Sequence, residues 1–361
     1  MKKLFIFCLF TTFSSASFAQ IVKIPYLIYT GNPETMKIMF QTESPQIYNI
    51  SYGFTEEYEI GVAKISQQKK GENENIFEYN FKYLKPNSKY FYKISNKTEE
   101  YKGYFYSAKE KKDRKVYFLV SGNNFSTNNK ESAKTSVKKF IVENPKYNSV
   151  FLHTGNILKD ENNEKCWNKL LSKKGNLLDK NIFSNIPIIL AKSEKKTSKP
   201  DLFRKYLKYN FTSENTDYYT INYGFIKFIV LDNSVDLNQN SVQYKWLKNE
   251  LTADFITPKI ILINSLKKTK KSEINLDSLN LLFEKNNVKL VLSQNTDTNF
   301  NKNLGNVHYL STKNLNLNNK KRTELKNKGN FFFAISYEGS EINIKILSYT
   351  LDLIDNIIIK N

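Results

Sequence analysis

Between Ile24 and about Lys109 the apolar residues come in short alternating runs broken by turn residues, a period of two that suits strands and not helices. The runs fall at residues 26–29, 36–41, 48–52, 76–81, 90–94 and 104–106, which predicts an all-β sandwich. A polar stretch, Lys109 to Lys115, then separates this segment from a different rhythm. Apolar strands are readable at 115–120, 149–153, 186–190, 225–231, 259–263, 288–293 and 307–311. Between them Val137-Phe140-Ile141, Trp167-Leu170-Leu171, Val242-Trp246-Leu247-Leu251 and Leu279-Leu282-Phe283 keep helical spacing. An α/β domain follows, with further β structure at 331–337 and 342–347. The organisation expected is a leader over 1–19, a sandwich over 20–109 and an α/β domain over 115–361.

The leader is read from Lys2 and Lys3, the apolar run from Leu4 to Phe13, and the small residues of Ser17-Phe18-Ala19. This is the pattern of a secretory signal peptide, and it predicts a periplasmic or extracellular protein beginning near Gln20. No later stretch reaches the roughly 20 apolar residues of a membrane helix. Without the leader, Cys166 is the only cysteine, so no internal disulfide is expected and packing must supply stability. Net charge is +20, and subtracting Lys2 and Lys3 leaves +18. The lysines are scattered rather than gathered on one helix, which argues against a nucleic-acid partner.

The segment Leu84-Lys85-Pro86-Asn87-Ser88-Lys89-Tyr90-Phe91-Tyr92 resembles the fibronectin type III corner, Leu-x-Pro-x-Ser/Thr-x-Tyr-x-Tyr. The resemblance implies a tyrosine hydroxyl bonded back to nearby backbone, so Tyr90 and Tyr92 are packing residues.

Sites in open α/β sheets form at the carboxyl ends of strands, where several loops converge. Those ends read Gly122-Asn123-Asn124, Gly155-Asn156-Ile157-Leu158-Lys159, Ala191-Lys192-Ser193-Glu194, Ile261-Leu262-Ile263-Asn264 and Ser293-Gln294-Asn295-Thr296-Asp297. In order and spacing the series resembles the calcineurin-like metallophosphoesterases and, with a sandwich in front, the purple acid phosphatases. Their blocks run Gly-Asp-x-Gly, Gly-Asp-x-x-Tyr, Gly-Asn-His-Glu, Val-x-x-His and Gly-His-x-His. Tyr218-Tyr219-Thr220 to Asp232 and the Gln243-Tyr244-Lys245-Trp246-Leu247 stretch, a family-typical Gln-x-x-Trp-Leu, extend the resemblance. It implies a two-domain chain, a fibronectin type III-like β-sandwich followed by an αββα metallophosphoesterase sandwich. The family norm would be a two-metal centre of Fe with Fe, Zn or Mn.

This chain departs from the family at the ligand positions. By the resemblance, Asn123 and Asn156 stand for the first and bridging aspartates, Lys159 for a tyrosine and Lys192 for an asparagine. Ser193 replaces the catalytic histidine, and Asn264, Asn295 and Asp297 replace the remaining ligand histidines. Two metal ions about 3.5–4 Å apart need anionic ligands to offset their repulsion. Asn156 keeps the shape of the bridging aspartate and loses its charge. Each lysine facing a cation at close range adds a repulsion of about 4 kcal/mol at an effective dielectric near 20. No metal cofactor is therefore expected. The mature chain has only His153 and His308, both outside these positions. His153 reads as a hydrogen-bonded core histidine and Cys166 as a packed thiol. Asp160, Glu161, Glu194, Asp232 and Asp297 match no calcium loop and read as solvated or locally paired. Charge balance without a metal is expected from Lys192 or Lys159 neutralising Asp297.

The expectation is an exported pseudophosphatase with no catalytic residue, acting in binding or scaffolding. One alternative is a phosphoester hydrolase with a non-standard centre, Ser193 as nucleophile and Lys192 or Lys159 as base and anion clamp. Another is an oxyanion-binding protein that uses Lys159 and Lys192 in the old pocket. The ligand classes in view are a protein, an anionic glycan or a phosphate group.

Overall fold

Alternation along β-strands builds the N-terminal module in the computed structural model, which describes residues 20–66, 75–122, 133–171, 182–193, 201–213, 216–267, 274–295, 301–312 and 331–360. In β6 (Lys89–Ser95) every second residue is buried, so Tyr90, Tyr92 and Ile94 point inward. β6 sits in a four-stranded sheet beside β3 (Ile47–Gly53), with β4 (Gly61–Ser66) and β7 (Glu100–Tyr106) at its edges. The opposing strands are β1 (Ile21–Ile28), β2 (Met36–Thr42) and β5 (Ile76–Phe81), paired antiparallel. Aromatic rings fill the space between, with Phe40 stacked on Phe77 at 4.5 Å and Tyr90 on Phe105 at 5.5 Å. The Tyr90 hydroxyl accepts from the Lys85 N–H at 2.6 Å, the bond expected of the corner motif.

Composition changes after residue 114, yet hydrogen bonding does not stop there. Strand β1 also pairs in parallel with β10 (Ile188–Leu190) at Ile28 and Ile188. One nine-stranded sheet therefore runs through both modules. Its order is β19 (Leu353–Lys360), β18 (Glu341–Ser348), β17 (Phe331–Glu338), β8 (Lys115–Ser121), β9 (Phe151–His153), β10, β1, β2, β5.

A second sheet has the order β11 (Tyr219–Tyr223), β12 (Ile226–Leu231), β13 (Lys259–Ser265), β14 (Val288–Asn295), β16 (Val307–Ser311), β15 (Asn301–Leu304). The inner strands are buried on both faces, and their side chains divide by parity. Phe228, Val230, Ile260, Leu262, Leu290 and Leu292 meet the first sheet, with Phe118 edge-on to Phe228 at 5.3 Å. Ile229, Leu231, Ile261 and Ile263 pack instead under α4 (Val242–Thr252) and α5 (Leu276–Lys285). Helix α4 is capped by Ser241, which accepts from Tyr244 N at 3.1 Å, and α5 by Asn275, which accepts from Ser278 N at 3.0 Å. On the outer face of the first sheet lies α1 (Ala133–Glu143), whose Phe140 meets Phe332 at 5.6 Å. Two facing mixed sheets with helices outside are the layers that the family resemblance implies.

Two buried polar contacts lock the modules. Ser184 Oγ donates to Pro25 O at 2.5 Å and accepts from Tyr101 Oη at 2.7 Å, while Ser184 O accepts from Tyr92 Oη at 2.8 Å. Lys23, only 1 % exposed, donates to Gln41 Oε1 at 2.5 Å and meets Glu164 Oε1 at 2.7 Å, its ammonium 4.5 Å from the Tyr206 ring centre. Ser184→Ala strands two buried partners at once, so it should lower the unfolding free energy by about 2 kcal/mol. Urea unfolding monitored by circular dichroism checks this, and an unchanged midpoint would deny Ser184 its tying role.

Candidate functional site

The strand ends converge as expected, because β8, β9 and β10 pair in parallel in one sheet and β12, β13, β14 and β16 in the other. The chain leaves β9 through Thr154-Gly155-Asn156, where Gly155 has φ +101° and Asn156 φ +55°. Glycine adopts that backbone freely, and asparagine is among the few side chains that tolerate it. Space imposes a second demand. A Cβ on Gly155 would collide with the Asn264 amide, and a Cβ on Gly122 would collide with the hydroxyls of Thr312 and Thr154. Both glycines therefore admit side chains from the second sheet against the first.

Those side chains form a neutral hydrogen-bonded closure between the sheets. Gln294 is its hub. Its Oε1 accepts from Asn156 Nδ2 and, at 3.0 Å, from Asn264 Nδ2, while its Nε2 donates to Gly122 O. Asn264 Nδ2 also donates to Thr154 O at 2.9 Å, and the Thr154 and Thr312 hydroxyls pair at 2.7 Å. Asn264, Thr154, Thr312 and Gln294 are all buried.

Beside the amides lies Glu161, fully buried after the β9 turn. It accepts from the Ser193 hydroxyl and, at 3.2 Å, from the Ser193 N–H. Ser193 Oγ in turn accepts from Asn156 N at 2.9 Å. Burial raises the Glu161 pKa to about 7, against the lowering effect of the two Ser193 bonds and of Lys192. Lys192 points elsewhere. Its ammonium meets the buried Asp217 and lies 3.5 Å from Asp201, while Arg204 Nε bonds the other Asp217 oxygen at 2.6 Å. Asp201 is also the N-cap of the short helix α3 (Leu202–Tyr206).

The candidate residues thus separate. Asn156, Asn264 and Ser193 come together, Lys192 joins a carboxylate cluster next to them, and Lys159 is exposed. Asn123 and Asp297 lie outside the described residues, as does Glu194, and of Asn295 only the strand backbone is described. The lysine partners found are Asp217 and Asp201, which the Asp297 expectation did not include. Sequence reading missed Gln294 as the hub, having favoured its neighbour Asn295, and it missed the Glu161–Ser193 contact. Strand parity carried a signal for Gln294, which shares the inward direction of Leu290 and Leu292. His153 is buried and its Nδ1 accepts from Gly155 N at 3.2 Å, as a core histidine should. His308 is also buried, with Nδ1 at 2.6 Å from Asn303 Oδ1 and its pKa pushed down to about 4 by desolvation.

A two-metal centre does not fit this donor set. Asn156 and Asn264 turn amide hydrogens toward one shared acceptor, and no bridging carboxylate stands among them. Among the described residues no group of three His, Cys, Asp or Glu side chains is placed to hold a metal.

The layered sheets and their convergent strand ends share their fold with solved phosphatase structures. The chain is similar to a purple acid phosphatase from yellow lupin (Lupinus luteus) seeds, PPD1, at 12 % identity and TM-score 0.67, covering 93 % of this chain and 74 % of that one. It is also similar to PhoD, at 9 % identity and TM-score 0.58, covering 94 % of this chain and 88 % of that one. No family model and no curated relative matches the sequence.

Two outcomes follow from the geometry. Gly155→Ala adds both backbone strain and a collision with Asn264, and should cost on the order of 3 kcal/mol in a urea titration; a cost under about 1 kcal/mol would mean that the turn can relax. Glu161 binds its proton more tightly folded than unfolded, so its contribution falls as pH rises from about 4.5 to about 7 and is level above that. The loss is about 3 kcal/mol across that window. Glu161→Gln should flatten that part of the stability–pH curve, and a variant curve parallel to the parent's would refute the assignment.

Proposed function

We propose that the chain is an exported, catalytically inactive member of the phosphatase-like proteins, a pseudophosphatase whose framework serves binding or scaffolding. The observation that carries this reading is the neutral closure around Gln294, in which the strand-end side chains satisfy one another. Amide hydrogens spent on Gln294 and on Thr154 O supply neither an anionic ligand for cations nor a charged clamp for a transferring phosphoryl group. Ser193 is a poor nucleophile in this setting, because its hydroxyl is buried and its oxygen already accepts from the Asn156 N–H. One of the two cations named for the oxyanion-binding alternative is diverted as well, since the Lys192 charge is met by Asp217 and Asp201.

The N-terminal sandwich is, in this proposal, a fibronectin type III-like module. Its support is the three-plus-four strand arrangement and the Tyr90 corner bond. Export rests on the leader pattern of residues 1–19.

The purified chain should carry substoichiometric Fe, Zn and Mn by elemental analysis. It should turn over p-nitrophenyl phosphate no faster than background when each metal is added. Stoichiometric bound metal with turnover would overturn the proposal.

A further inference from the structure

At the end of the second sheet opposite the amide closure, the loop from α4 to β13 displays two large apolar side chains to solvent. Phe255 is 66 % exposed and Ile256 73 % exposed. Isolated apolar residues on a surface are ordinary, but these two are adjacent and their loop is held from beneath. Asp254 accepts from Thr257 N at 3.0 Å and from Thr257 Oγ1 at 2.5 Å, closing the turn. Lys259, fully buried, donates to Asp254 O, to Thr257 O at 2.9 Å and to Asn286 O at 3.0 Å. Asn287 Nδ2 donates to Ile256 O at 2.6 Å. A buried cation and two side-chain clamps thus fix a tip whose outward side chains are apolar, so little freedom is lost when they bind something.

The surroundings of the tip are basic. Lys111, 79 % exposed, lies 3.5 Å from Asp254, while exposed Lys248 stands one turn back on α4 and exposed Lys285 ends α5 beside the Asn286–Asn287 turn. The one carboxylate in the tip, Asp254, is already engaged by Thr257 and Lys111. Next to it opens a cavity of about 300 Å³ whose lining includes Lys109, Lys111, Tyr29, Pro33 and Lys227, the last paired with Glu250 at 3.2 Å.

We propose that the Phe255–Ile256 tip and the lysines around it form a peripheral docking site for an anionic phospholipid surface. Area and charge favour a bilayer over a protein. A protein interface needs a contiguous apolar core within roughly 800 Å² per partner, which two side chains on a convex tip do not supply. A bilayer boundary accepts small apolar anchors, and an anionic one adds attraction for each nearby lysine. The chain requires no spanning segment for this, and among the described residues no helix is long and apolar enough to cross. Because the tip sits at the amino ends of β13 and β14, docking leaves the amide closure facing away from the lipid.

Vesicle co-sedimentation of the full chain tests the site, with phosphatidylglycerol–phosphatidylcholine vesicles compared against pure phosphatidylcholine. The chain should pellet with the anionic vesicles at low salt, release at high salt and ignore the neutral ones. Phe255→Ser with Ile256→Ser should reduce partitioning by about tenfold or more, without moving the melting temperature, since both side chains lie outside the core. In a separate Phe255→Trp variant, indole emission should shift to the blue on anionic vesicles, a signal that electrostatic attraction alone does not produce. Failure of the parent chain to pellet at low salt would overturn the proposal, as would a double serine variant that binds like the parent. Self-association lost in that variant, with no vesicle binding by the parent, would instead assign the tip to contact between copies and equally overturn it.

Discussion

Strand β1 is the member on which the architecture depends, because it belongs to the sandwich through β2 and to the C-terminal layers through β10. A sandwich joined only by a tether would move independently, as modules with small interfaces do. Here the join carries a backbone ladder, the Ser184 contacts and the buried Lys23 ammonium. Lys23 is tolerable in that position because Gln41, Glu164 and the Tyr206 ring replace the water it loses. The consequence reaches the candidate site, since Lys192 and Ser193 follow closely on the end of β10.

The closure at the strand ends follows from a second constraint. Two sheets that converge at their carboxyl ends leave polar backbone facing a narrow gap, and those groups must be satisfied by water, ions or side chains. Gly122 and Gly155 bring the layers close enough for side chains to do it, so that Thr154 O and Gly122 O are both bonded from the opposite sheet. Each bond contributes about 1 kcal/mol net, but leaving either carbonyl unpaired would cost more. Because the side chains that meet there are amides and hydroxyls, the gap closes with neutral groups.

Much of this was readable in the sequence. The runs at 76–81 and 307–311 coincide with strands β5 and β16, because apolar residues recur through both, Phe77, Tyr79 and Phe81 in one and Val307, Tyr309 and Leu310 in the other. Strand β4 gave none, being an edge strand with exposed Val62 and Lys64, and β15 and β19 are edge strands for the same reason. Pairing of β1 with β10 joins residues far apart in the chain, and no local pattern encodes such a partner. The same holds at the site. Asn156 and Asn264 were visible as strand-end residues, whereas the meeting of Glu161 with Ser193, or of Lys192 with Asp217, is set by how loops from different strands fold back.

Charge placement joins these observations. In the interior the cations sit against specific acceptors, Lys192 on Asp217, Lys23 on Glu164 and Lys259 on three carbonyls, each arrangement offsetting the cost of desolvation. Burial still pushes Lys259 down to about 8, so its ammonium is held only by the geometry that also fixes the Phe255–Ile256 tip. A chain of net charge +20 has many lysines with no such task, and long-range repulsion among them favours solubility over compactness. The same lysine chemistry thus serves the carboxyl side of the sheets through Lys192 and Asp217 and holds the loop at their opposite end through Lys259.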